Sequence, residues 1–361
     1  MKILIVVGAR PNFMKVAPII SEFKKYSFIE YKLIHTGQHF DKNMSDTFFE
    51  DLGLPYPDIN LNINGGSVSD QIGKIMINFD IVIKNELPDF VLVVGDVNST
   101  IACSIVSKQN GVKLIHIESG LRSFDEKMPE EINRILTDRI SDFLFVTEKS
   151  GINNLKNEGI EKGVYLVGNV MIDSLINNLE KINQKNTYLK LNLEKDNYGI
   201  ITIHRPSNVD QKENLEYMLK YFVNLSNKIK LVLPLHPRTK ANIEKFGFLS
   251  YLDSKNIIVT EPLAYTNFIN LLMNSKFILT DSGGAQEEST FLHIPCLTMR
   301  YNTERPITCE IGTSELVGND FTKIDFFINQ IMNGTYKKGK IPDFWDGKAS
   351  NRILKVLLEN K

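Results

Sequence analysis

The sequence predicts an α/β protein built from two doubly wound parallel sheets, and three observations lead there. The chain is 361 residues long, more than a single core ordinarily serves. Short apolar runs alternate with amphipathic helical stretches, the pattern of parallel strands covered on both faces. That alternation stops once, over an Asn/Lys-rich stretch at about 179–197, and then resumes. Two Rossmann-like halves of this kind face a cleft outside the carboxyl ends of their strands, where ligands bind.

In the first half, strands are expected at 3–7, 33–35, 90–94, 114–117, 143–146 and 165–167. Helical periodicity covers about 14–26, 43–52, 69–85 and 130–140. In the second half, strands are expected at 198–203, 229–233, 257–259, 277–279 and 296–299. The domains are therefore read as 1–178 and 198–340. The stretch 179–197 is a helix running into a linker, and the last helix, within 341–361, packs back on the first domain.

Apolar residues make up 42% and charged residues 24% of the chain, an ordinary globular composition. A net charge of -1 leaves no basic footprint for nucleic acid or an anionic membrane, so any anion site must be local. Cys103, Cys296 and Cys309 have neither metal-ligand spacing nor an even count, and read as small buried residues in a reducing compartment. The apolar run after Met1 is too short for a signal peptide, and no stretch approaches a membrane span. The expectation is a cytoplasmic protein.

The stretch from Phe277 to Glu288 organises the rest. A buried strand runs into Asp281-Ser282-Gly283-Gly284, and good helix formers follow, with Ser282 placed to cap them. Free backbone N–H groups and the positive end of a helix dipole would converge there, and glycine lets a phosphate come close. Glu288, further into that helix, could accept hydrogen bonds from ribose hydroxyls. The alternative is an ordinary strand–helix connection.

Other polar residues gather just after strands. Arg10 and Lys15 follow the first strand, either facing a diphosphate or solvated near a helix start. Asp96 follows Val94-Gly95 as a helix cap or a site residue, and Asn98 and Ser99 could cap in its place. Glu118 ends the strand at 114–117, and Glu130, Glu131 and Arg134 lie on the next helix. Glu130 and Arg134 are four apart, so a salt bridge is open to them. Carboxylates converging at strand ends suit acid–base chemistry, because burial and mutual repulsion raise a pKa.

Of six histidines, His204 ends the first strand of the second half, the best position for a proton donor or phosphate contact, and His236 is comparable. His39 sits in a Gly-rich loop, His35 and His116 suit supporting or core roles, and His293 reads as a loop residue. No His pair has metal-ligand spacing, so no metal is expected. Phe268 could stack on a nucleobase, though core packing suits its apolar helical face better. Arg300 and Arg305 could line a cleft rim or form structural ion pairs.

Together these segments resemble the non-hydrolysing UDP-N-acetylglucosamine 2-epimerases. The matching stretches are Gly8-Ala9-Arg10-Pro11 with Lys15, Thr36-Gly37-Gln38-His39, Gly95-Asp96 and His116-Ile117-Glu118-Ser119-Gly120-Leu121-Arg122. Further on come Pro129-Glu130-Glu131 with Asn133-Arg134, His204-Arg205, Thr280 to Gly284 with Glu287-Glu288, and Arg300 with Thr303 to Pro306. The resemblance implies the two-domain fold of the B-type glycosyltransferases (GT-B, glycogen phosphorylase-like), a homodimer, no nicotinamide cofactor and no essential metal. It implies that Arg10, Ser282, Gly283, Gly284 and Glu288 hold UDP, with Phe268 by the uracil. Asp96, Glu118, Glu130 and His204 would be catalytic, with Lys15 and Arg134 supporting, in an isomerase that serves surface polysaccharide synthesis.

Two departures stand out: Pro206-Ser207-Asn208 after the His-Arg pair, and Leu235-His236-Pro237-Arg238 in place of a His-x-Asn-Pro segment. Both argue against activation by a second UDP-N-acetylglucosamine. The His236-Pro237-Arg238 pattern also looks like relatives that epimerise UDP-2,3-diacetamido-glucuronate. A retaining glycosyltransferase of the same fold is a further alternative, for which Glu118 and Glu130 have no evident use.

Overall fold

Val, Ile and Leu dominate the short runs that open each half, and buried on both faces they become central strands of two all-parallel sheets. The computed structural model describes residues 1–37 and 53–360. His39 and the helix expected at 43–52 lie outside the described residues, as does the side chain of Arg10. The chain divides into two units, Met1–Asn177 with Asp343–Lys361, and Asn178–Pro342.

In the first unit, the strands are β1 (Lys2–Val7), β2 (Glu30–His35), β3 (Ile59–Asn60), β4 (Phe90–Val94), β5 (Lys113–Ser119), β6 (Phe143–Val146) and β7 (Val164–Leu166). Their order is β3-β2-β1-β4-β5-β6-β7, so the winding reverses between β1 and β4. Ile3 pairs with Tyr31 on one side and with Phe90 on the other. Leu4, Val6, Val91 and Val93 meet Phe79 and Ile83 from the helix Val68–Glu86 in one core. Each such side chain contributes about 1.5–3 kcal/mol by burial. The carboxyl ends of β1 and β4 sit at the reversal, where a doubly wound sheet opens a crevice.

The helix Ala349–Glu359 belongs to this first unit and packs on the helix Arg10–Phe23. Asp173 pins its start by accepting from the backbone N–H of Ala349 (3.1 Å) and of Ser350 (2.7 Å) and from the Ser350 hydroxyl (2.7 Å). Burial raises the Asp173 pKa above its ordinary value, against these hydrogen bonds.

In the second unit, the strands are β8 (Tyr198–Thr202), β9 (Lys230–Pro234), β10 (Ile257–Thr260), β11 (Phe277–Thr280), β12 (Cys296–Thr298) and β13 (Ser314–Leu316). Their order is β10-β9-β8-β11-β12-β13, with the reversal between β8 and β11. Ile201, Phe222, Leu231, Phe277 and Leu279 lie in its main core.

The structure differs from the sequence expectation in three places. β3 and β13 were not expected; they are two and three residues long and carry too little periodicity to be seen. The stretch read as a linker is packed into the second unit: Ile182 and Leu193 are buried, and the backbone N–H of Thr187 donates to Asn270 Oδ1 at 2.7 Å. Asn270 in turn donates to the carbonyl of Ile182 at 2.9 Å, so polar residues do much of the anchoring.

Candidate active site

Glycine follows β1 and β4, and both glycines serve the site. At Gly8, the backbone N–H donates to Asn12 Oδ1 at 3.1 Å, as does that of Ala9 at 3.0 Å, and Asn12 Nδ2 returns a bond to the carbonyl of Val94. Asn12 thereby ties the end of β1 to the end of β4. The helix Arg10–Phe23 then carries the buried Lys15 toward the same place.

Gly95 has a φ of +65°, and a Cβ there would lie 3.3 Å from Glu118 Oε2 and 3.4 Å from Lys15 Nζ. A Cβ would crowd the place where those two groups meet beside the strand end, in a backbone conformation that favours glycine. Lys15 and Glu118 form a buried ion pair. Asp96 comes next, about one-third exposed, and pairs with Arg134. Arg134 also holds Glu131, three residues earlier on the helix Pro129–Ile140. Glu130, in the first turn of that helix, is half-buried.

Glu118 has a φ of +70°, in the left-handed region that a residue with a Cβ rarely takes. The register between β5 and β6 shifts across it, from Ile117 to Ser119. The extra residue re-aims the Glu118 carboxylate toward Lys15, and such a conformation costs on the order of 1–3 kcal/mol.

The surroundings hold that conformation in place. Asp138, fully buried, accepts from Gly120 N–H at 3.0 Å and lies 2.7 Å from both His116 Nδ1 and an Arg122 nitrogen. Burial alone would raise the Asp138 pKa, but the His116 and Arg122 contacts hold it below the ordinary carboxylate value. His116 donates from Nε2 to the carbonyl of Gly95 at 2.9 Å, a supporting role between β4 and β5. Glu131 accepts from Ser123 N–H and Oγ and from Phe124 N–H, and so orders the loop after Arg122.

The second unit carries a different constellation at its own reversal. Asp281 follows β11 and is fully buried. It accepts from the backbone N–H groups of His204 (2.9 Å) and Arg205 (2.8 Å) and from Asn208 Nδ2 (3.0 Å). His204 Nδ1 lies 2.9 Å from Asp281 Oδ1, and the His236 ring lies beside that of His204, with centroids 5.1 Å apart. His236 caps its own helix by accepting from Arg238 N–H at 3.2 Å.

Ser282 stands at the start of the helix Gly283–Phe291 as expected, but its side chain makes no capping bond. Its backbone N–H donates instead to Thr280 Oγ1 at 3.0 Å. A Cβ on Gly283 would lie 2.7 Å from the Arg305 guanidinium. Ser282 and Gly284 are partly exposed while Ala285 to Thr290 are buried, so the helix start is the open end of this segment. Glu288 is buried, and desolvation together with the neighbouring Glu287 pushes its pKa up to about 8. A neutral carboxyl group both donates and accepts hydrogen bonds.

Phe268, half-buried on the helix Tyr265–Met273, is not among the fully buried core residues. Arg300 and Arg305 are both buried in ion pairs with Glu304, and Arg305 also reaches Glu287 at 2.9 Å. Of the two roles open to these arginines, the structure takes the structural one. Among the described residues, no three His, Cys, Asp or Glu side chains converge to hold a metal ion. Asp138 and Asp281 were given no role from the sequence. A buried carboxylate that accepts three or more bonds has no local signature, although each sits close in space to a histidine that had one.

A family model described as UDP-N-acetylglucosamine 2-epimerase matches residues 21–358. The chain is 43% identical to a Methanococcus maripaludis protein named UDP-N-acetylglucosamine 2-epimerase homolog, over 99% of each chain. It is 41% identical to the UDP-2,3-diacetamido-2,3-dideoxy-D-glucuronate 2-epimerase of Pseudomonas aeruginosa, again over 99% of each. Its structure matches that of Methanocaldococcus jannaschii UDP-GlcNAc 2-epimerase, solved in complex with UDP-GlcNAc and UDP. The TM-score is 0.91 at 40% identity, over 99% of this chain and 100% of that one. Among the described residues, no helix is long and apolar enough to cross a membrane.

Proposed function

We propose, from the premise that this chain belongs to the UDP-N-acetylglucosamine 2-epimerase family, that it interconverts UDP-N-acetylglucosamine and UDP-N-acetylmannosamine. It is an isomerase, and the reaction inverts C2 of the sugar. The C2 proton has no adjacent carbonyl to acidify it, so direct removal is prohibitive. Elimination avoids this: a carboxylate takes the C2 proton, the C1–C2 double bond forms, and the C1–O electron pair leaves on UDP. Delivery of a proton to the opposite face of C2, with UDP adding back at C1, gives the manno isomer.

The start of the helix Gly283–Phe291 and Arg10 stabilise the departing diphosphate, with Glu288 at the ribose and Phe268 at the uracil. Asp96, Glu118 and Glu130 supply acid and base to the two faces of the ring, with Lys15 placing Glu118 and Arg134 placing Asp96, and His204 attends the diphosphate. The enzyme works in the cytoplasm as a homodimer, without a nicotinamide cofactor or metal, and feeds surface polysaccharide synthesis. The observation that carries the reading is the buried Lys15–Glu118 pair at the reversal of the first sheet, in a chain matched by the family nearly end to end.

The diacetamido-glucuronate alternative needs a cation for its extra carboxylate. Arg238, in the segment that resembles those relatives, is engaged by Asp210 through two bonds of 2.8 and 2.5 Å, which favours the N-acetylglucosamine reading. Incubation with each UDP-sugar in D2O, followed by NMR, tests the proposal. Deuterium at C2 in a nucleotide-linked gluco/manno mixture supports it. Exchange confined to the uronate, or free sugar as product, overturns it.

A further inference from the structure

We infer that Asp281 is a positioning residue for His204, fixing the imidazole with Nδ1–H turned inward so that Nε2 is the nitrogen offered to the ligand. The inference deepens the reading above and takes from it only the ligand, the diphosphate of a UDP-sugar. One buried carboxylate grips both the backbone N–H and the ring of the same residue, at 2.9 Å each, so it sets where His204 sits and how its ring turns.

Asp281 also binds Arg205 N–H and Asn208 Nδ2. Burial by itself would raise its pKa, but the His204 bond and these donors hold it below the ordinary value, so it stays ionised. An ionised carboxylate only accepts hydrogen bonds, so Nδ1 must carry the proton. The other nitrogen then has one defined role in each charge state: it accepts when the ring is neutral and donates when the ring is charged.

The His204 side chain is 33% exposed while Asp281 is fully buried, so the ring has one enclosed and one accessible side. The His236 ring restricts its tilt, and the bond between Thr202 Oγ1 and Thr280 Oγ1 at 2.6 Å ties β8 to β11 just beneath. In the elimination, a proton on Nε2 is shared with the diphosphate oxygen as the C1–O bond breaks. It returns to Nε2 when that oxygen re-forms the bond, so no net proton is consumed. A carboxylate needed only to order residues 203–208 would require the backbone and Asn208 bonds, but not the contact to Nδ1.

Asp281→Asn separates these roles, because one amide oxygen can still accept from the backbone while the NH2 group cannot accept from Nδ1. We expect kcat with UDP-N-acetylglucosamine to fall about 100-fold or more, with KM within about threefold. In 15N-detected imidazole spectra, the neutral His204 ring should change from the Nδ1–H to the Nε2–H tautomer. In a His204→Gln background, the same substitution should cost less than about threefold further. A full additional loss in that background, or a wild-type ring protonated at Nε2 with a bare Nδ1, overturns the inference. If Asp281→Asn does not fold, the wild-type spectrum decides alone. A wild type that shows Nδ1–H yet epimerises no UDP-sugar supports the positioning and overturns only the reading of the reaction.

Discussion

At Glu118 a single backbone angle decides where a carboxylate points. Its positive φ and the bulge around it aim a carboxylate at Lys15, and Gly95 leaves the space in which they meet. Replacing Glu118 with Gln should abolish deuterium exchange at C2 while UDP binding, followed by calorimetry, stays within about threefold. Gly95→Ala should be worse than its one added methyl suggests. The new Cβ crowds both partners and the residue is held at φ +65°, so stability should drop by about 1–2 kcal/mol in urea titration and turnover at least tenfold. Glycine, acidic residues and histidine at strand ends were legible because strand-end position and side-chain type can both be read from one sequence. The left-handed turn at Glu118 was not, since nothing in Ile117-Glu118-Ser119 departs from an ordinary strand. Asp138 and Asp281 stayed silent for a related reason: what distinguishes them is how many donors they gather from distant parts of the chain.

Among elements, the helix Gly283–Phe291 carries the clearest pH signature. Glu288 has a folded-state pKa of about 8, above that of the unfolded chain, so the native state holds a proton that the unfolded state has given up. Stability from this group is fully present below the unfolded value, near pH 4.5, and is lost as pH rises toward 8. Denaturant midpoints of the wild type should therefore decline across that window, by an amount on the order of a few kcal/mol. Glu288→Gln should flatten the decline; a wild-type curve already flat from pH 5 to 8 would contradict the assignment. At this scale the sequence was informative wherever a run of apolar residues was long enough to show its period. β13 and the short helix Thr187–Lys190 fell below that length, and the latter is held largely by Asn270, a polar anchor that no hydrophobic pattern reveals.

For the whole molecule, the consequential fact is that the second unit is a single excursion out of the first. Residues 343–361 return to the unit that contains residue 1, and Asp173 fastens the returning helix. Deleting 343–361 should expose Ile353, Leu354 and Leu357's docking surface and split thermal unfolding into two steps: an early one that UDP does not shift, and a later one that it does. Asp173→Ala should give a milder version, about 1–3 kcal/mol, seen as faster hydrogen exchange in the last helix. During synthesis the ribosome completes the second unit before it makes the helix Ala349–Glu359, which packs on the helix Arg10–Phe23. The first unit must wait with its sheet made and its last helix missing while its neighbour folds, and chaperones would find their substrate at that uncovered face.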